Sequence, residues 1–257
     1  MKVQQLFDLT GKVAVVTGGS RGLGFQIAQG LAEAGALVVI TARKESELQE
    51  ATARLRAEGH AVTPVRCDLM EIESLSGVVD GIVAGHGKID ILVNNAGASW
   101  GAPTEEYPLS GWRKVMETNV TGLFYFTQAV ANHMIQRGEG GRIINLASVA
   151  GIKGAHPQVL QAVAYNASKG AVIALTKDLA VKWAKHGITV NAIAPGFFPT
   201  KMSQFVIALN EELILEHIPM HRFGGDDDLK GPVLLFASDA GAYITGQVLA
   251  VDGGETA

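Results

Sequence analysis

Short apolar runs rich in β-branched residues alternate along the chain with longer segments that are apolar on one side only. Lys12–Thr17, Leu37–Thr41, Ala61–Arg66, Ile89–Asn94, Arg142–Ala147, Ile188–Ala194 and Gln247–Val251 each read as a strand. Their continuous apolar character marks strands covered on both faces, as in a parallel sheet. Helical periodicity falls between them, over 23–34, 45–58, 71–85, 110–137, 163–185 and 226–238. Gly35, Gly59, Gly138 and Gly187 stand where four of these helices should stop, since glycine readily takes the left-handed conformation of a C-cap. Strand and helix alternate from end to end, which predicts an α/β class: one doubly wound, parallel, seven-stranded sheet with helices on both faces. No Pro/Ser-rich linker or repeat divides the chain, so residues 1–257 are expected to form a single domain. The irregular segment at about 195–221 follows the sixth strand, at the sheet edge where such folds bind ligands, and is expected to act as a lid.

Composition narrows the classes further. The 257 residues are 47% hydrophobic and carry a net charge of −4 without a long run of one sign. That balance argues against nucleic-acid or membrane-surface partners. Cys67 is the only cysteine, which excludes an intramolecular disulfide and a thiolate metal cluster; without a histidine partner it reads as a small buried side chain. Met1–Thr10 lacks the apolar stretch of a secretory signal, and runs such as Ala36–Ile40 and Pro232–Ala237 fall far short of a bilayer span. A soluble, cytoplasmic protein is expected. Asp226, Asp227 and Asp228 are read as a helix cap with favourable dipole partners rather than as metal ligands.

The first strand runs into Thr17-Gly18-Gly19-Ser20-Arg21-Gly22-Leu23-Gly24 and then a helix. Glycines there let the backbone turn sharply and approach a pyrophosphate, which the helix N-terminus faces. The spacing is G-x-x-x-G-x-G rather than the general G-x-G-x-x-G. An NAD enzyme carries an acid roughly 20 residues further on, to hold the ribose 2′-hydroxyl. Ala42 and Arg43 stand there instead, with Lys44 beside them and Arg21 inside the loop. These cations suit a 2′-phosphate, so NADP(H) is the expected cofactor, with Glu45 near enough to keep NAD(H) open.

Tyr165 and Lys169 lie at i and i+4 on one helix face. A phenol is a poor acid–base group at neutral pH unless a neighbouring cation favours its phenolate. Ser148 ends the Ile144–Ser148 stretch at the carboxyl edge of the sheet, and Asn119 falls inside a helical pattern, where asparagine is a poor helix former.

Taken in order, Thr17–Gly24, Asn94-Asn95-Ala96-Gly97, Asn119, Ser148, Tyr165/Lys169, Pro195-Gly196 and Val251-Asp252-Gly253-Gly254 resemble the short-chain dehydrogenase/reductase family over essentially the whole chain. The resemblance implies a Rossmann fold and an oxidoreductase acting on a carbonyl or alcohol. It implies that Tyr165 is the proton donor or acceptor, that Lys169 lowers the tyrosine pKa and holds the nicotinamide ribose, that Ser148 bonds the substrate oxygen, and that Asn119 anchors a water linking Lys169 to solvent. Gly18, Gly19, Ser20, Arg21, Gly22, Leu23 and Gly24 would then cradle the pyrophosphate, Asp68 and Leu69 flank the adenine, and Asn95, Ala96 and Gly97 line the cofactor cleft. Pro195 and Gly196 would lead to Phe198 and Thr200 against the carboxamide. The family also implies a homotetramer built on the long helices at 110–137 and 163–185.

The Ser148-to-Tyr165 spacing of 17 residues is longer than usual for the family, the extra residues lying in Lys153–Ala164. This predicts an extended loop over the substrate mouth, carrying His156. Trp100 borders the expected cleft, as substrate contact or as core. Phe197, Phe198, Met202, Phe205, Val206, Ile207 and Leu209 give the segment after the sixth strand an apolar cast, which favours an acyl chain. Resemblance to 3-oxoacyl-(acyl-carrier-protein) reductases, including the rhamnolipid-linked kind, makes a 3-oxoacyl thioester the expected substrate in fatty acid metabolism. Phe7–Lys12 and His221–Gly224 resemble gluconate 5-dehydrogenases, the alternative. A non-catalytic dinucleotide sensor is more remote, because Asn119, Ser148, Tyr165 and Lys169 are all present.

Overall fold

The structure is a computed structural model that describes residues 2–156 and 158–257. Its strands are β1 (Val13–Thr17), β2 (Leu37–Ala42), β3 (Val62–Arg66), β4 (Ile91–Asn94), β5 (Gly141–Leu146), β6 (Ile188–Pro195) and β7 (Val248–Val251). They form one parallel sheet in the order β3-β2-β1-β4-β5-β6-β7, the expected doubly wound α/β fold. The helices are α1 (Val3–Leu6), α2 (Gly22–Glu33), α3 (Glu45–Ala57), α4 (Leu75–His86), α5 (Leu109–Met116), α6 (Leu123–Arg137), α7 (Val163–Trp183), α8 (Gln204–Glu216) and α9 (Lys230–Ala237).

Both faces of the sheet are covered. Ala14, Val16, Ile40, Ile91 and Val93 point into a core completed by Ile27, Leu31 and Leu48 of α2 and α3 and by Phe236 of α9. Val13, Val15, Val39, Leu92 and Ile143 point the other way, against Phe126, Val130 and Met134 of α6 and Ile82 of α4. Each such fully buried aliphatic or aromatic side chain contributes roughly 1.5–3 kcal/mol of transfer free energy, which explains the uninterrupted apolar strands. Gly35, Gly59, Gly138 and Gly187 all take positive φ within four residues of the ends of α2, α3, α6 and α7, as the glycine pattern predicts.

The chain leaves β1 towards β2 and β3, then crosses back to β4. The carboxyl ends of β1 and β4 therefore sit side by side at the point where the winding reverses, and a crevice opens there.

Three expected boundaries differ. The segment 110–137 is helical throughout but widens to a π turn over Glu117–Gly122, between α5 and α6. Helix α9 begins at Lys230, after the three acids. Those acids do not cap it: both oxygens of Asp228 bind the Arg222 guanidinium at 2.6 and 3.0 Å and Oδ2 accepts from Gly225 N, while Asp226 accepts from Gln26 Nε2. A local ion pair and turn at Asp228, and a distant partner at Asp226, outcompete capping. The segment after β6 contains α8, whose helix is interrupted by non-helical geometry at Asn210.

Candidate active site

The crevice is a continuous cleft of about 1520 Å³ running from Arg43 past Ser148 and Tyr165 to Phe205. Its floor is the glycine turn. Gly18 and Gly22 have positive φ, and a Cβ on Gly24 would stand 2.3 Å from Gly18 O and from Asn95 Nδ2. Only glycine allows that packing. Asn95 holds the turn, donating to Thr17 O at 2.9 Å and to Gly18 O at 3.1 Å. Thr17 Oγ1 accepts in return from the backbone N–H groups of Asn95 and Ala96. Thr17 was not singled out by sequence; a hydroxyl ending an apolar strand was the available signal. Helix α2 opens at Gly22, so its first N–H groups lack intrahelical acceptors at the cleft floor.

At one end of the cleft lie Arg21, Ala42, Arg43 and Lys44. Arg43 is exposed. Arg21 and Lys44 instead pair with Glu47, at 3.1 and 3.2 Å. Burial opposes ionisation of Glu47, but the Lys44 hydrogen bond and the charges of Arg21, Lys44 and Lys201 outweigh it and hold the carboxyl below the usual glutamate range. Cys67, Asp68 and Leu69 form the opposite wall. Burial pushes the Cys67 thiol up to about 11, helped by Asp68 and Glu71, so it is inert at neutral pH, as its sequence context implied.

Deeper in, a buried polar ladder fixes the ends of β4 and β5. Asn94 Nδ2 donates to Thr127 Oγ1 of α6 and to Asn145 Oδ1, each at 2.8 Å, and Asn145 Nδ2 donates to Thr176 Oγ1 of α7 at 2.9 Å. The strand then delivers Ser148, buried, its Oγ accepting from Ala150 N at 3.2 Å. Helix α7 presents Tyr165 and Lys169 to the same space. Lys169 Nζ donates to Leu146 O at 2.5 Å and lies 5.5 Å from the Tyr165 ring centroid.

Desolvation dominates both titrations. It pushes the Lys169 ammonium down to about 8. It raises the Tyr165 phenol above its ordinary value, the Ser148 hydroxyl working in the opposite sense. The expected lowering of the tyrosine pKa by Lys169 is therefore not found in the free protein, where burial of the phenol outweighs the Ser148 hydrogen bond.

Asn119 stands in the π turn and is buried. Its Oδ1 accepts from Ala98 N at 2.7 Å, and its Nδ2 donates to Ala98 O and to Ser168 Oγ. The side chain thus ties the loop after β4 to α7. Pro195, Gly196, Phe198 and Thr200 all line the cleft; Thr200 Oγ1 lies 3.0 Å from Ser203 Oγ, which also donates to Phe198 O.

At the far end Val159, Leu160, Phe197, Phe205, Val206 and Ile214 form apolar walls. His156 of the long loop lines the cleft there, its ring centroid 6.2 Å from that of His217. Lys153 from the same loop bonds the C-terminal segment, with Nζ 3.1 Å from Glu255 Oε1 and 3.0 Å from Glu255 O. Trp100 packs on Gly111 of α5 beneath Lys114 and is exposed rather than part of the core.

The residues present fit a phosphorylated dinucleotide. A Cβ on Gly22 would reach to 3.5 Å from Thr200, filling the gap between the glycine turn and the segment after β6. Cations gather at one end of the cleft, and two hydroxyls and an amine, those of Ser148, Tyr165 and Lys169, line it together. Among the described residues no group of three metal-ligating side chains occurs, and no helix is long and apolar enough to cross a membrane.

Comparison with known proteins agrees with this layout. A family model described as short chain dehydrogenase matches residues 12–210. The chain is 40% identical over 261 residues to a gluconate 5-dehydrogenase of Gluconobacter oxydans, covering 100% of this chain and 99% of that protein. It is 41% identical to the rhamnolipids biosynthesis 3-oxoacyl-[acyl-carrier-protein] reductase of Pseudomonas aeruginosa, covering 96% and 97%. A gluconate 5-dehydrogenase from Burkholderia cenocepacia, solved with NADP and tartrate, superposes with a TM-score of 0.93 at 38% identity over 99% of both chains.

Proposed function

The chain belongs to the short-chain dehydrogenase/reductase family, an oxidoreductase acting on CH–OH or C=O, and from that premise we propose that it reduces a ketone, a 3-oxoacyl thioester, with NADP(H). The observation that carries the proposal is the convergence of Ser148, Tyr165 and Lys169 on one cleft whose other end gathers Arg21, Arg43 and Lys44.

Bound reduced nicotinamide supplies a hydride to the substrate's carbonyl carbon. Ser148 donates to the carbonyl oxygen and fixes its direction. Tyr165, holding its proton because burial raises its pKa, delivers that proton to the oxygen as negative charge develops. Lys169, one turn along α7, stabilises the phenolate left behind and holds the nicotinamide ribose. Asn119 keeps the loop after β4 against α7 through its bonds to Ala98 and Ser168, and on this reading it anchors a water that links Lys169 to solvent. Gly18 to Gly24 bind the diphosphate, Asp68 and Leu69 flank the adenine, Asn95 to Gly97 line the cleft, and Phe198 and Thr200 meet the carboxamide.

The segment 195–221 is the substrate lid of this single domain. Its cluster of Ile207, Ile214 and Ile218, with Val159 and Phe197 packed on it, supports an acyl substrate. A sugar acid is favoured by a separate observation, the polar mouth of His156, Gln161, His217 and the Lys153–Glu255 pair, alongside the gluconate relatives. Exposed Leu109, Trp112, Tyr125 and Val181 on α5 to α7 support a homotetramer joined across those helices. Initial rates of NADPH oxidation with a 3-oxoacyl thioester and with 5-ketogluconate test the substrate. Faster turnover of the thioester upholds the acyl reading; faster turnover of the sugar acid replaces it.

A further inference from the structure

Arg21 and Lys44 reach the phosphate end of the cleft from two directions, one from the glycine turn and one from the turn after β2. Both are already occupied. Glu47 Oε1 lies 3.1 Å from Arg21 Nη1 and 3.2 Å from Lys44 Nζ, and Oε2 lies 3.2 Å from the same Arg21 nitrogen. The carboxylate itself lines the cleft, with 27% of its side chain exposed. Lys201, from the segment after β6, adds its positive field to the same group. Cations from three separate stretches of sequence thus converge on one acid.

A carboxylate and a phosphate monoester draw on the same donors, in the same paired geometry. Two anions brought to hydrogen-bond range of one guanidinium also repel each other. A phosphorylated ribose entering this corner therefore meets a competitor carried by the protein itself. An unphosphorylated ribose does not, because it leaves the Arg21–Glu47–Lys44 cluster intact.

We propose that Glu47 is a specificity-determining residue that competes with the cofactor 2′-phosphate for Arg21 and Lys44. In the free enzyme it holds both cations at the cleft; when NADP(H) binds it must release them. Its effect is to narrow the preference for NADP(H) over NAD(H). This rests on the reading above that Arg21 and Lys44 face a 2′-phosphate.

The test is a fluorescence titration of the full chain with NADPH and, separately, NADH, comparing wild type with Glu47→Gln, which keeps the side chain's size and removes its charge. Exposed ion pairs are individually weak, so the expected change is a fall in the NADPH Kd of about three- to tenfold, with the NADH Kd within about twofold of wild type. An unchanged or weaker NADPH affinity overturns the proposal, because Glu47 then orders the cations rather than competing for them. Equal tightening of both cofactors also overturns it, placing the effect on the shared diphosphate. A wild type and a variant that both bind NADPH no better than NADH remove the phosphate reading itself, and the proposal with it.

Discussion

Tyr165 and Lys169 face each other across one turn of α7, the amine 5.5 Å from the phenol ring centroid, yet the amine's hydrogen bond goes to Leu146 O on the neighbouring strand. That division of labour positions Lys169 near the reacting phenol without a direct bond to it. The lysine is set by the sheet, the tyrosine by the helix, and the distance between them by how α7 packs on β5 and β6.

Removing the phenol oxygen tests the acid–base assignment. Tyr165→Phe is expected to lower kcat by roughly 10²–10⁴-fold, the range for loss of a positioned proton donor. The NADPH Kd, read by fluorescence, should stay close to wild type. Substantial residual turnover would take Tyr165 out of its assigned role.

The buried amine should leave a trace in the pH dependence of stability. Below about pH 8 Lys169 is charged in both the folded and unfolded chains, and the fold bears the desolvation cost. Between about 8 and 10.5, the ordinary lysine value, only the unfolded chain keeps the proton, so stability rises with pH through that window. Lys169→Met should abolish a rise on the order of 3 kcal/mol. Tyr165, raised instead of lowered, acts in the opposite sense only above the ordinary tyrosine range. Urea midpoints for both proteins at several pH values check this; parallel curves would mean the lysine is not desolvated.

Cofactor choice should follow the cations at the ends of β1 and β2. Arg21→Ala is expected to raise the NADPH KM about tenfold or more, as loss of a charge-assisted hydrogen bond does, and to leave the NADH KM little changed. Arg43→Asp should move preference further towards NADH. Steady-state kinetics with both cofactors decide it, and an unaltered ratio in both variants would put the 2′-phosphate elsewhere.

The Lys153–Glu255 pair anchors the long loop over the substrate mouth. Lys153→Ala is expected to raise the KM for the ketone several-fold, with a smaller change in kcat and no change in NADPH Kd, because it frees the loop without touching the reacting groups. A drop confined to kcat would assign the pair to chemistry instead.

Much of this was legible in the sequence for a physical reason: strands buried on both faces must be apolar throughout, so Val13–Thr17 and Ile188–Pro195 announce themselves. The glycine turn, Ser148, Tyr165 and Lys169 were likewise readable, and the structure brings them to one cleft. What escaped depends on partners far apart in the chain. Asp226 reads as a cap in sequence, but Gln26, 200 residues away, takes its carboxylate. The π turn at Asn119 leaves the helical pattern of 110–137 intact, since one extra residue in a turn barely alters which side is apolar. Asn145 is a single polar residue inside an apolar run, where burial demands a partner, but Asn94 and Thr176 are identified as its partners only by the fold. Glu47 lies one turn into α3 beside two acids of similar appearance, and only the fold selects it.

Thr17 and Asn95 meet where the two windings of the sheet adjoin, and four hydrogen bonds between Thr17 or Gly18 and Asn95 or Ala96 stitch the glycine turn to the loop after β4. One winding carries the glycine turn and the cations at the cleft's end, the other Ser148, Tyr165 and Lys169. An error at this seam is therefore inherited twice: a change that shifts Asn95 moves the cofactor's berth and the approach of the two reactants together. Selection on either property alone acts on both.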